Sequence, residues 1–272
     1  MNTFLEKEFS IKILNNKILD GYDNKNYHIT TEENDFIYKT YIYSESLKDT
    51  VEAENNTLLY LQEEFDSYIP KPVPFKDNSF VKVIDSDTEK VISRMLSFLK
   101  GEFLGKAKHT PSLFESLGTF LAMIDIKLQG FKNYTIQARK WEWDIQYFEL
   151  NKKYINDIPN PKDRNVVIYF FNQFEEIVRP IIPELRKQVI HNDANEWNLL
   201  VRNDEISGII DFGDVILTQT VNALAIACAY ACMHQEDPVA AAGEMVKGYH
   251  SDFPLEDQEI KLLYMLIAAR LV

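Results

Sequence analysis

The chain has 272 residues, enough for one large domain or two modest ones. Hydrophobic residues make up 46% and charged residues 26%, the balance of an ordinary soluble globular protein. Lys and Arg total 29 against 42 Asp and Glu, and the formal net charge of -13 excludes a nucleic-acid partner unless a local basic patch exists, which the sequence lacks.

The N-terminus, MNTFLEKEFS, has no signal-type apolar stretch, and the longest apolar run, Ala223 to Met233, is too short for a membrane span. A cytoplasmic protein without a membrane partner is expected. Residues 9–43 read as strands: Ile11, Ile13 and Leu14, then a turn-rich Asp20 to Asn24, then Tyr27 to Ile29 and Phe36 to Tyr41 around a polar connection, a hairpin pattern. Leu47, Val51, Leu58 and Leu61 recur at helical spacing and predict a helix over 45–64, ended by Pro70, Pro72 and Pro74. Phe80 to Ile84 and Lys90 to Met95 predict two more strands. From Pro111 the pattern turns helical, over Ser112 to Leu128, Trp141 to Tyr154 and Asn165 to Val178. Three short apolar runs follow (Val189-Ile190, Leu199 to Val201, Ile206 to Phe212), and the chain reads as helix from Val221 to its end. The expected fold is α+β, with a β-rich lobe over 1–96 and an α-rich lobe over 97–272. Cys228 and Cys232, four apart on one face of a helix, read as core residues, since neither zinc nor redox spacing is present.

The stretch Val189 to Asp214, VIHNDANEWNLLVRNDEISGIIDFGD, carries the chemistry. Phosphoryl transfer needs a carboxylate to take or orient the proton of the attacking hydroxyl, and oxygen ligands for the Mg²⁺ that neutralises the ATP phosphates. The spacing H-x-D-x-x-x-x-N followed by D-F-G meets that need. Asp193 is the candidate base, and Asn198 and Asp211 the candidate metal ligands. Each fixed position matches by chance roughly one time in twenty, so the set together is not a coincidence. His191 reads as a loop-holding residue rather than a proton carrier. Upstream, Lys39 in the strand FIYKTY is placed to reach ATP phosphates, with Glu54 as its partner because Glu54 shares the helical face of Val51, Leu58 and Leu61 while Glu52 points away. The turn containing Gly21, Tyr22, Asp23 and Asn24 would cover the phosphates with backbone N–H groups, although G-x-G-x-x-G is absent.

With these segments the chain resembles the aminoglycoside phosphotransferase and choline kinase superfamily, and most of all its hydroxylysine kinase-like branch. The resemblance is carried by GYDNKNYHI, FIYKTY with VEAENNTLLYL, VISRMLSFLKGEFL, VIHNDANEWNLLV, and GIIDFGD with VNALAIACAYA. It implies a bilobal, protein-kinase-like fold with ATP and Mg²⁺ in the cleft, and a hinge at Met95, Leu96 and Phe98 whose backbone meets adenine. It implies a small-molecule hydroxyl acceptor near Asp193, in this branch an amino alcohol or hydroxylated amino acid, hence cationic. Glu196, Trp197 and Asp214 are candidate acceptor contacts, whereas Trp141 and Trp143 read as core residues. The resemblance also marks departures. Asn192 stands where relatives have glycine in H-G-D, the residue best suited after glycine to a positive φ. The chain ends within an expected helix, LIAARLV, so the second lobe is short or truncated. An aminoglycoside O-phosphotransferase and a catalytically weak, pseudokinase-like binding module are the alternatives. The retention of Lys39, Asp193, Asn198 and Asp211 weighs against the latter. The sequence gives no oligomeric state.

Overall fold

Short apolar runs flanked by turn residues make the amino-terminal part of the chain a sheet. The computed structural model describes residues 1–19, 24–85, 89–233 and 235–272. The elements begin with α1 (Asn2–Phe9), β1 (Ile13–Leu19), β2 (Lys25–Thr31), β3 (Asp35–Ile42), α2 (Glu45–Phe65), β4 (Pro72–Val73), β5 (Lys82–Asp85) and β6 (Lys90–Ser97). The strands run β1-β2-β3-β6-β4, with β5 also on β6, and every described pair is antiparallel. Lys39 lies opposite Arg94, and Tyr38 opposite Met95. Leu5, Ile29, Tyr38 and Met95 form a buried cluster. The helix α1 was not expected from sequence. It has no side-chain cap and is held from outside, by burial of Leu5 and by the Ile13 N–H donating to Glu6 Oε1 at 3.0 Å. The Ser44 hydroxyl accepts the Leu47 N–H and starts α2.

Two compact units result, Met1–Lys100 and Gly101–Val272. The break falls beyond the expected boundary at 96 because Ser97 N–H donates to Lys71 O at 2.8 Å and Phe98 N–H to Asp35 O at 3.1 Å. These bonds tie the segment to the first unit.

The second unit contains β7 (Glu102–Phe103), α3 (Pro111–Leu128), α4 (Tyr134–Gln137), a 3₁₀ segment (Ile145–Asp157), α5 (Pro161–Gln173), β8 (Lys187–Ile190), β9 (Leu199–Arg202), β10 (Glu205–Ile209), β11 (Ile216–Gln219), α6 (Val221–Ala231), α7 (Pro238–Asp252) and α8 (Asp257–Leu271). The strands pair as β10-β9-β7 and β11-β8. Helices α3 and α7 meet at two glycines. A Cβ on Gly118 would stand 2.0 Å from Met245 O, and one on Gly248 2.1 Å from Glu115 O, so only glycine permits this approach. The buried α6 holds Cys228, and Cys232 follows it; both are free thiols, and burial raises both pKa values.

Three helical expectations need correction. The segment over Trp141 to Tyr154 is not one helix: 3₁₀ structure begins only at Ile145. Buried Asp144 pins its start, accepting from Gln146 N–H and from the Thr218 hydroxyl. The helix expected from Asn165 starts earlier, at Pro161 behind the capping Asn160, and widens into a π turn over Phe174–Val178. The stretch after Val221 is three helices, interrupted where Pro238 opens α7 behind the capping Asp237 and where Pro254 follows its end. Among the described residues no helix is long and apolar enough to cross a membrane.

Candidate active site

Buried strand β8 delivers the chain to His191, and the loop from there to β9 folds back on Asp193. The His191 ring is buried. Its Nε2 lies 3.1 Å from Ile210 O and its Nδ1 accepts the Asp193 N–H at 3.3 Å. A carbonyl on one side and an N–H on the other require the neutral tautomer with its proton on Nε2. Burial agrees, pushing the His191 pKa down to about 4. The ring also packs edge-on against Phe212, with centroids 4.6 Å apart. His191 thus joins the two ends of the loop and stays uncharged.

Asn192 follows, with φ 66. Its position in the left-handed region accounts for an asparagine where the resemblance expects glycine. The side chain is buried, and neither amide atom has a hydrogen-bond partner among the described residues.

The Asp193 carboxylate is gripped on one oxygen. Asn195 Nδ2 donates to Oδ2 at 2.9 Å and Asn198 Nδ2 at 2.8 Å, and Asn198 Nδ2 also reaches Asp193 O at 2.9 Å. Since both bonded groups are acceptors, the Asn198 amide must present nitrogen to them, leaving its Oδ1 for another partner. Asn195 Oδ1 accepts the backbone N–H of Trp197 and of Asn198, which fixes the turn. Ile210 N–H donates to Asn198 O at 2.8 Å, joining this loop to the start of the D-F-G segment. Asp211 follows with φ 62, and its charge raises the pKa of both Asp193 and Asp214. Burial is the largest cause of the rise at Asp193. Burial, then the charges of Asp193 and Asp211, lift Asp214 to about 6. Among the described residues no group of three His, Cys, Asp or Glu is arranged to hold a metal alone. Asn198 Oδ1 and the Asp211 carboxylate are hard oxygen donors that fit Mg²⁺ in company with phosphate oxygens.

Two arginines unmarked by the sequence motifs complete the surroundings. Arg139 Nη1 donates to Gly213 O and Val215 O at 2.9 and 2.6 Å, holding the D-F-G turn. Arg270 of α8 donates from Nη2 to Asp193 Oδ1 at 3.2 Å and from Nη1 to Trp143 O at 2.9 Å. A cavity of about 340 Å³ is lined by Trp143, Asp214, Tyr230 and Arg270. Trp143, expected in the core, is half exposed on its wall. Trp197 is also half exposed, edge-on to Phe103, and Glu196 lies against Gly105, whose N–H donates to Glu196 O at 3.0 Å.

In the amino-terminal unit, Lys39 is buried on β3 across from Arg94. The Glu54 carboxylate, expected beside Lys39, accepts from Arg94 Nη2 at 2.5 Å. Directly opposed residues of an antiparallel pair share a face, so Glu54 is drawn to the face that carries Lys39. Met95 is wholly in the core, Leu96 is paired between Ile37 and Pro72, and Phe98 stacks on His28 at 4.6 Å. The Phe98 N–H is engaged at Asp35 O. Asn24 is partly buried, its Oδ1 without a partner among the described residues. Gly21, Tyr22 and Asp23 lie outside the described residues.

Residues 16–257 match the phosphotransferase enzyme family (APH). Hydroxylysine kinase from Xenopus laevis is 27% identical over 293 residues, covering 98% of this chain and 78% of the relative. Homoserine kinase from Zymomonas mobilis subsp. mobilis is 24% identical over 264 residues, 92% of this chain and 75% of that protein. The structure of a microcompartment-associated aminopropanol kinase superposes with a TM-score of 0.76 at 18% identity, over 94% of this chain and 81% of the other. The fold is therefore the kinase-like α+β fold.

Proposed function

The chain belongs to the phosphotransferase enzyme family and is a small-molecule kinase with a hydroxyl acceptor, and from that premise we propose that it moves the γ-phosphoryl group of ATP to a hydroxylated amino acid or amino alcohol of the hydroxylysine type. The observation that carries this reading is the Asp193 carboxylate, held on Oδ2 by Asn195 and Asn198 and turned with Oδ1 toward the cavity residue Arg270. The acceptor hydroxyl donates its proton to Asp193, its oxygen bonds to the γ-phosphorus, and the bond from that phosphorus to the bridging oxygen of ADP breaks. Burial raises the basicity of Asp193, which suits it to take that proton. Asn198 and Asp211 would hold Mg²⁺, which supplies charge neutralisation on the phosphates. Lys39 pairs with nucleotide phosphate, and Asp214 takes the acceptor's ammonium group.

Purified protein incubated with Mg-ATP and a panel of hydroxylysine, ethanolamine, choline, homoserine and kanamycin, with products resolved, tests this reading. Phosphohydroxylysine or the phosphate ester of another amino alcohol or amino acid is expected. Phosphorylation of kanamycin alone would make the protein an aminoglycoside kinase instead. ATP binding with no acceptor modified would make it a binding module.

A further inference from the structure

Arg270 reaches Asp193 from 77 positions further along the chain. Its side chain is mostly buried, yet its donors are unevenly used. Nη1 has a good bond to Trp143 O, and Nη2 has a long one, 3.2 Å, to Asp193 Oδ1. Nε is buried with no hydrogen-bond partner among the described residues. A buried donor without a partner is uncommon and marks a place where a ligand or water belongs. Nε and Nη2 form one edge of the planar guanidinium, the edge that matches both oxygens of a carboxylate. Tyr230 supports the group from its face at 5.4 Å. The same cavity carries Asp214, so a fixed cation and a fixed anion stand together next to the base. A polycation gains at Asp214 and is repelled by Arg270, an amino alcohol uses Asp214 alone, and a zwitterion pairs with both.

We propose that Arg270 is a specificity-determining residue: its Nε and Nη2 edge binds the carboxylate of an amino-acid acceptor, and in doing so lets go of Asp193 Oδ1, freeing that oxygen for the acceptor hydroxyl. The assignment rests on the kinase reading above and adds a discrimination between two acceptors that Asp193 alone treats alike. The carboxylate satisfies Nε and competes for Nη2, whose bond to Asp193 is the weakest the guanidinium makes. An acceptor without a carboxylate leaves Arg270 across the base and must share Oδ1 with it.

Steady-state kinetics with Mg-ATP test this, using hydroxylysine and the diamino alcohol that remains when its carboxylate is removed. Arg270→Gln is expected to raise KM for hydroxylysine about tenfold or more, the loss of one bidentate charged pair. KM for the diamino alcohol, a dication that Arg270 repels, should not rise, and an unfolding midpoint close to the parent's shows that the variant is folded. Arg270→Lys, a point charge without the fork, should recover only part of the hydroxylysine KM. Equal changes for the two acceptors, or none for either, would overturn the assignment while leaving the kinase reading intact, as would a parent enzyme that accepts only the diamino alcohol. A parent that phosphorylates neither acceptor would remove the kinase reading and this assignment with it.

Discussion

Two buried guanidinium groups sit beside carboxylates in this protein, and they are finished differently. In the amino-terminal unit Arg94 is 2% exposed and uses all three nitrogens, Nε and Nη2 on the Tyr41 hydroxyl, Nη1 on Asn55, and Nη2 also on Glu54. In the carboxy-terminal unit Arg270 leaves Nε unpaired among the described residues, makes a long bond to Asp193 and borders a cavity. A closed network fixes a helix to a strand and has nothing further to bind. An open one keeps hydrogen-bonding capacity that a ligand or water completes. The difference separates an architectural ion pair from a recognition site more sharply than charge or burial alone.

Breaking the closed network should have the largest effect on stability. Arg94→Ala takes the buried Glu54 carboxylate's guanidinium partner away and is expected to cost about 3–5 kcal/mol, read as a lowered urea midpoint. A second closed carboxylate, Asp125, accepts from the Tyr249 hydroxyl at 2.7 Å, and burial lifts its pKa to about 8. Between the ordinary carboxylate range and pH 8 the folded state holds one proton more than the unfolded state. The contribution of this group is therefore full at low pH and is lost as pH rises through about 8. Asp125→Asn removes that titration, so its stability relative to the parent should improve between about pH 5 and pH 9, by on the order of 3 kcal/mol. A constant difference across that range would show that Asp125 ionises normally.

Smaller effects are expected in the open site. Asn192→Ala leaves a Cβ at a positive φ without the amide that lets asparagine tolerate that conformation, and should cost about 1 kcal/mol. Asn192→Gly keeps the backbone and removes a buried amide that has no partner among the described residues, so it should be neutral or slightly stabilising in thermal unfolding. Arg270→Gln gives up one long bond to Asp193 and one to Trp143 O, and should cost less than Arg94→Ala, about 1–2 kcal/mol. A loss as large as that of Arg94→Ala would place Arg270 in the architecture and erase the contrast between the two groups.

Sequence made some of this legible for a physical reason. The spacing of His191, Asp193 and Asn198 is local, and the loop folds on itself through hydrogen bonds two to five positions apart. Asn192 was readable because few residues tolerate its backbone conformation. The strands around Lys39 and the helix carrying Glu54 showed in their periodicity. Arg270 was not readable, because nothing in LIAARLV says which loop the side chain will meet. Arg94 was missed for the same reason, its partners lying 39 to 53 positions away. The helix α1 and the strand β11 were hidden as well. Each is short, and each takes its stability from burial or pairing supplied elsewhere in the chain.

The most direct measurement is the rate of phosphoryl transfer by Asp193→Asn, alongside its unfolding midpoint. Asparagine keeps the shape of the side chain and, with its oxygen turned to Asn195 and Asn198, their two hydrogen bonds, while it gives up the long contact to Arg270 and takes no proton. A rate lower by about a thousandfold or more is expected, at a nearly unchanged midpoint. A variant as fast as the parent would contradict it.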